Sequence, residues 1–380
     1  MANTVLLVGD GFNRFVAGCY PESGVAAAIR ATSDLWGHFQ DTLLPLVQAA
    51  PGPVQDDIAN HSRNTERSAQ LLYDMIEFAE GMVVLNRSKD LQSAMNLTCG
   101  TVCRQSLDRQ MKDTMFKVVK EFIQDETDGL YGNLLRVKPP GLTDLQNLMA
   151  PLAGNLVVYT TNYDGIIDMV LGFEPSQNRQ GRFSLTDGFG SLPDGTKGVF
   201  FRENPGEWTQ QWGIRAHLHG SYKFLAQPVF GHGTLYKKLN RQDFGSFDAL
   251  SEDGQPVVVF DAPDRKLSRI DRFRVLREYL NSFEWHLGQA QNLVLFGISL
   301  ENDPHLAQRI RSRWLGPHSG PADRKLCIID TAPDNVLARL DEQAAAENGS
   351  RRNYRLCPVV PEADWTFDDI KATLSPLLGQ

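Results

Sequence analysis

Four short apolar runs, each ending in glycine, amide, hydroxyl or carboxylate groups, limit what this chain can fold into more than any other feature. Val5 to Val8 leads into Gly9-Asp10-Gly11, and Val157 to Tyr159 into Thr160-Thr161-Asn162-Tyr163-Asp164. Asn292 to Phe296 leads into Gly297-Ile298-Ser299, and Lys325 to Ile329 into Asp330. Such runs, apolar throughout and rich in β-branched residues, read as strands buried on both faces. Helix-like patterns separate most of them, so the expected fold is α/β, a Rossmann-like doubly wound parallel sheet. Tyr354 to Val359 reads as a last short strand. In sheets of this kind ligands bind beyond the carboxyl ends of the strands, where all four polar tips fall.

Two stretches interrupt the alternation. Residues 35–146 carry long amphipathic helical patterns, as in Arg67 to Val84 and Met111 to Gln124, and read as a large helical insertion. Residues 174–260 are rich in glycine, aromatic and polar residues and read as a smaller, irregular β-hairpin region. The sheet domain is then expected over 1–34 and 147–380. Within the hairpin region a strand from Ile214 to Gly220 would place His217 and His219 on one side. The residues after Gln227 read as loop and surface until a helical pattern from Asp271 to Ala290.

Composition excludes some functions. The formal charge of −8 counts against a chain-wide electrostatic grip on nucleic acid, so no direct nucleic-acid binding is expected. The apolar run near the N-terminus is too short for a signal sequence or a membrane span, which points to the cytoplasm. The cysteines, Cys19, Cys99, Cys103, Cys327 and Cys357, are odd in number and form no CxxC pair, as suits reduced thiols. Cys99 and Cys103 alone make a poor zinc site, and no metal is expected.

Strand, glycine turn and helix at Val5 to Val16 form a phosphate cradle by type, since glycines admit backbone N–H groups and a helix N-terminus favours an anion. Arg14 stands where a dinucleotide fingerprint has its third glycine, and Asp10 brings a carboxylate to the turn. Asn162 can act on a ligand or cap the helix after it. Asn302 and Asp303 have the same two readings, and Asp187-Gly188 reads as a turn.

The glycine turn, the Thr161-Asn162-Tyr163-Asp164 tip, His219-Gly220 and Gly297-Ile298-Ser299, in that order, resemble the sirtuin-like NAD-consuming family. The likeness spans residues 1 to about 20 and 150 to about 335, and is nearer to the bacterial antiphage-defence NADase domains than to the protein deacylases. It implies that Gly9 and Gly11 lie under the pyrophosphate of NAD, with Asn13 and Thr161 where the deacylases have serine and glutamine. It implies that Asn162 addresses the nicotinamide ribose and positions water, Asp164 receives the nicotinamide amide, and His219 acts as base on the ribose hydroxyls, with His217 in reserve. Gly297 and Ser299 would hold the adenosine side, and Asp330 the adenine ribose, which favours NAD over NADP. No arginine segment follows Gly11, and Arg14 is the stand-in for it.

The resemblance therefore implies an NAD glycohydrolase releasing ADP-ribose and nicotinamide, an abortive-infection effector that depletes NAD. It also implies a homo-oligomer, or control by a partner such as a HerA-like ATPase. A non-catalytic NAD or ADP-ribose sensor is the alternative. A deacylase is less favoured, because the four-cysteine zinc module of those enzymes is missing.

Overall fold

The computed structural model describes residues 3–20, 26–27, 139, 141–149, 154–170, 185–190, 199–201, 208–229, 233–239, 254–259, 263, 265–316, 323–341, 354–361 and 365–378. The expected helical insertion, 35–146, lies outside the described residues except for 139 and 141–146 at its end, where α2 (Leu142–Met149) begins.

Six strands form one parallel sheet: β1 (Thr4–Val8), β2 (Leu156–Thr160), β5 (Ile214–His217), β9 (Asn292–Phe296), β10 (Arg324–Ile329) and β11 (Tyr354–Val359). Their spatial order is β11-β10-β9-β1-β2-β5. The chain runs outward from β1 through β2 to β5, then returns to the other side of β1 and runs outward again. The order reverses between β1 and β9, which makes that gap the switch point where such sheets open a ligand crevice.

Residues along β1 alternate between two cores. Val5 and Leu7 join a cluster with Tyr159 and with Tyr279 and Phe283 of α5 (Arg274–Gln289). Leu6 and Val8 join Phe12 and Val16 of α1 (Asp10–Cys19) and Leu145 of α2 (Leu142–Met149) on the other face, beside α8 (Phe367–Leu378). Both faces are covered by helices, and this is why the strands show no polar alternation.

Register sets the functional edge. Val8 pairs with Thr160 on one side and Phe296 on the other, Thr160 pairs with His217, and Phe296 pairs with Ile329. The strands therefore end in one row, and their polar tips line a single edge.

A second, antiparallel sheet of order β3-β4-β7-β6-β8 lies within the stretch read as hairpins. Its strands are β3 (Phe189–Gly190), β4 (Val199–Phe201), β6 (Gly220–Val229), β7 (Gly233–Lys238) and β8 (Gln255–Val258). The last two fall where the sequence reads as loop and surface: β7 is half polar and β8 short, and pairing with the long β6 recruits both. Two further expectations are corrected. The strand through the histidines stops at His217, because Gly220 takes φ +85° after a turn at Leu218-His219. The helix from Asp271 is two helices, α4 (Lys266–Arg272) and α5, broken at Phe273, whose backbone is extended (φ −103°, ψ 111°).

Candidate functional site

Three glycines close the switch point. A Cβ on Gly9 would meet the Gly297 carbonyl oxygen at 2.6 Å, one on Gly11 the Gly297 Cα at 2.6 Å, and one on Gly297 the Phe12 nitrogen at 2.3 Å. Gly297 also has φ +60°, which glycine adopts without steric cost. The amide N–H groups here are engaged: Gly9 donates to Phe296, Gly11 to Gly297 and Phe12 to Gly9. Gly9 and Gly11 thus bring β1 and β9 into contact, and the Gly11 and Phe12 N–H groups in the first turn of α1 are spent within the protein.

Beside them the β2 tip gathers amide and carboxylate groups. Asn162 is buried; its Nδ2 donates to the Gly9 carbonyl at 3.1 Å and its backbone N–H donates to Thr160 Oγ1 at 3.0 Å. Thr161, half-buried, donates its backbone N–H to Val8. Asp164 accepts from the Ile166 N–H at 2.9 Å, capping α3 (Ile166–Val170), and from Asn13 Nδ2 at 2.7 Å. So the cap belongs to Asp164, and Asn162 turns toward the switch point. Asn13 is fully buried, and its Oδ1 has no hydrogen-bond partner among the described residues. Sequence reasoning placed Asn13 in the pocket but did not pair it with Asp164, 151 residues away.

Burial pushes the Asp164 carboxyl up to about 6, against the hydrogen bonds from Ile166 and Asn13. The raised value means that ionised Asp164 costs stability as pH rises from the unfolded pKa near 4 to about 6. Asp164→Asn is therefore expected to be more stable than wild type above pH ~6 by about 2–3 kcal/mol, a difference that closes below pH ~4. Urea denaturation of both proteins at the two ends of this range measures it, and a gap that does not depend on pH would refute it.

The two histidines separate. His217 Nδ1 donates to the Asn162 carbonyl at 2.9 Å, and Nε2 lies 3.8 Å from Asp168 Oδ2. His217 is thereby fixed in the scaffold under the β2 tip. His219, in the turn after β5, packs its ring 6.4 Å from that of Tyr163 and has Nε2 3.3 Å from Asp303 Oδ1. That contact is close but is not aligned as a hydrogen bond, and among the described residues the buried Nε2 has no other partner. Burial pushes the His219 imidazole down to about 3, opposed by Asp303, so the ring is neutral at physiological pH.

Asp303 precedes α6 (Pro304–Arg309) at its N-cap, yet its side chain caps nothing. A side-chain cap is worth about 1 kcal/mol, and this aspartate forgoes it. Its Oδ1 instead accepts from Lys266 Nζ at 3.0 Å. Burial opposes ionisation of Asp303, but positive charge on its neighbours, from His219 and His305 when they are protonated and from Lys266 throughout, holds the carboxyl below the usual range. His305 completes the group, its ring 5.5 Å from His219 and both its nitrogens buried without hydrogen-bond partners among the described residues. His219, Asp303 and His305 bring ligand atoms within 4.8 Å of one another, a set that could hold a metal ion. The ammonium of Lys266 already supplies positive charge at the shared carboxylate oxygen, which works against a cation there.

At the tips of β9 and β10 the expected residues are more loosely gathered. Ser299 is exposed and its Oγ accepts from the Glu301 N–H at 3.3 Å. Asp330 closes a local turn, accepting from the Ala332 N–H at 2.9 Å ahead of α7 (Pro333–Asp341). Asp10 and Arg14 pair with each other at 2.7 Å on the exposed face of α1. Asp187 does form a turn, accepting from the Phe189 N–H, but it also joins Arg215, Asp168 and Lys238 in a buried ion network.

Fold and site together define an α/β protein with a Rossmann-like sheet whose carboxyl edge carries an amide, two carboxylates and a neutral histidine. No family model matches the chain, and no curated protein matches its sequence. Among the described residues no helix is long and apolar enough to cross a membrane.

Proposed function

We propose that this protein is an NAD glycohydrolase that cleaves NAD to ADP-ribose and nicotinamide. The observation that carries the reading is the convergence of Asn162, Asp164 and Asn13 on the switch point formed by Gly9, Gly11 and Gly297. From the tip of β2 to that of β10 is three strand spacings, about 14 Å, which suits an extended two-part ligand. Nicotinamide and its ribose would lie at β2, the pyrophosphate at the α1 start near Gly297, and the adenosine toward Ser299 and Asp330.

Loss of nicotinamide leaves an oxocarbenium-like ribose, and the leaving group is already cationic and needs no acid. Asp164 and the unpartnered Asn13 Oδ1 offer acceptors to the nicotinamide amide. Asn162 carries both donor and acceptor, so it can orient a ribose hydroxyl and the attacking water. Neutral His219 can accept from a ribose hydroxyl and increase its electron donation to the anomeric carbon. His217, with Nδ1 committed to the Asn162 carbonyl, holds the tip in place.

The motif resemblance extends the proposal to an antiphage effector that depletes cellular NAD, held in check in a homo-oligomer or by a partner such as a HerA-like ATPase. Purified protein incubated with NAD, alone and with the product of a neighbouring gene, is expected to release nicotinamide. His219→Ala should lower that rate about 10²-fold or more, the usual size of a positioned base. Full turnover by this variant would remove His219 from the mechanism.

A further inference from the structure

The side chain of Asp303 is committed away from its own helix. Only its backbone carbonyl serves α6, accepting from the Leu306 and Ala307 N–H groups, while the carboxylate turns to Lys266 and His219. Lys266, at the first residue of α4, is 1% exposed, so its ammonium is held inside the protein, with Asp303 Oδ1 3.0 Å away. The loop that delivers Asp303 from β9 contains Leu300, buried with φ 59°. A branched side chain enters that left-handed region only where the surroundings hold it, and such residues cluster at functional sites. An empty cap, a buried counter-ion and a strained loop residue all place this carboxylate against His219.

We propose that Asp303 is a positioning residue for His219, with Lys266 as its anchor: the carboxylate holds the Nε2 side of the imidazole and leaves Nδ1 to accept from a ligand hydroxyl. A neutral imidazole carries one N–H, so the partner at one nitrogen decides which nitrogen can accept. The present 3.3 Å contact is loose, and contacts of this kind tighten when ligand binds. The charged and titratable groups around the ring are Asp303, Lys266 and His305, with the Tyr163 ring tilted beside it, centroids 6.4 Å apart. The inference rests on the reading of His219 as the ribose-facing base.

The test uses full-length protein with ¹⁵N-labelled histidine, the His219 signals being assigned by their loss in His219→Gln. Lys266→Met leaves the Asp303 charge unbalanced beside the ring and is expected to raise the His219 titration midpoint by about one pH unit or more. The double variant Asp303→Leu, Lys266→Met removes both charges of this pair together. In it the Nε2 proton of His219 should exchange with solvent about tenfold faster than in wild type. In the nicotinamide-release assay the double variant should lower kcat about 100-fold with KM within about threefold, and Asp303→Glu should recover part of the loss. An unchanged midpoint in Lys266→Met, or unchanged Nε2 exchange in the double variant, overturns the proposal, and neither measurement needs turnover. If both spectral changes occur but wild type releases no nicotinamide, the positioning stands and the glycohydrolase reading falls.

Discussion

Asn162→Ala is expected to slow nicotinamide release about 10²–10³-fold, the loss seen when one preorganised donor is removed from a site where charge develops. The effect should be large because one side chain has two tasks, orienting the ribose and orienting the water. Its structural cost is small by comparison. The variant gives up the bond from Nδ2 to the Gly9 carbonyl, worth about 1 kcal/mol, while the backbone bonds to Thr160 and His217 remain. Thermal melts close to wild type together with a lost rate would place the defect in chemistry. Asn162→Asp keeps an acceptor but loses the donor and adds charge beside a carbonyl, so it should be no better than alanine. Full nicotinamide release by either variant would sink the assignment.

Arg215→Met should have the largest effect on stability, about 3–5 kcal/mol at neutral pH, the cost of leaving buried charges without their partner. Arg215 is buried, with Nη1 2.6 Å from Asp168 Oδ1 and Nη2 3.4 Å from Asp187 Oδ2. Burial by itself would raise Asp168, but Arg215 and then His217 outweigh it and hold the carboxyl far below the usual range. Asp187 is held low as well, against its burial, by Lys238 2.6 Å away and then by Arg215. In the wild type these depressed carboxyls contribute stability that is present above the unfolded pKa near 4 and lost as pH falls below it. Without the guanidinium, burial favours the protonated acid, so the deficit of the variant should shrink as pH drops from 7 toward 4. Chemical denaturation at both pH values measures this. A deficit under about 1 kcal/mol at pH 7 would show that Asp168 and Asp187 do not depend on Arg215.

The sheet was legible because its signals are local. Val5 to Val8 and Asn292 to Phe296 have buried strand patterns complete within a few residues, and the polar tips mark their ends. The parallel register follows once both faces are apolar. By contrast β7 and β8 have no strong pattern of their own, and they become strands because β6 lies between them. The same divide runs through the site. The sequence placed Asn162, Asp164 and the two histidines at strand ends, and period-two alternation put His217 and His219 on one side. A single turn after β5 and the positive φ of Gly220 overrode the alternation. For Asp303 the sequence left a helix cap and a ligand contact equally open, and its side chain does not cap α6. Its commitment to Lys266 depends on a residue 37 positions earlier, which no local rule reaches.

From the sequence alone came the parallel α/β sheet, the polar row along its carboxyl edge and the glycines at the switch point, all products of short-range periodicity and backbone sterics. Tertiary structure alone decided which histidine is held as scaffold and which has an unpartnered Nε2, that Gly9, Gly11 and Gly297 pack against one another, and that Arg215 and Lys266 neutralise buried carboxylates. The physical reason is that a buried polar group must find its partner in space, and here those partners lie dozens to more than a hundred residues apart along the chain.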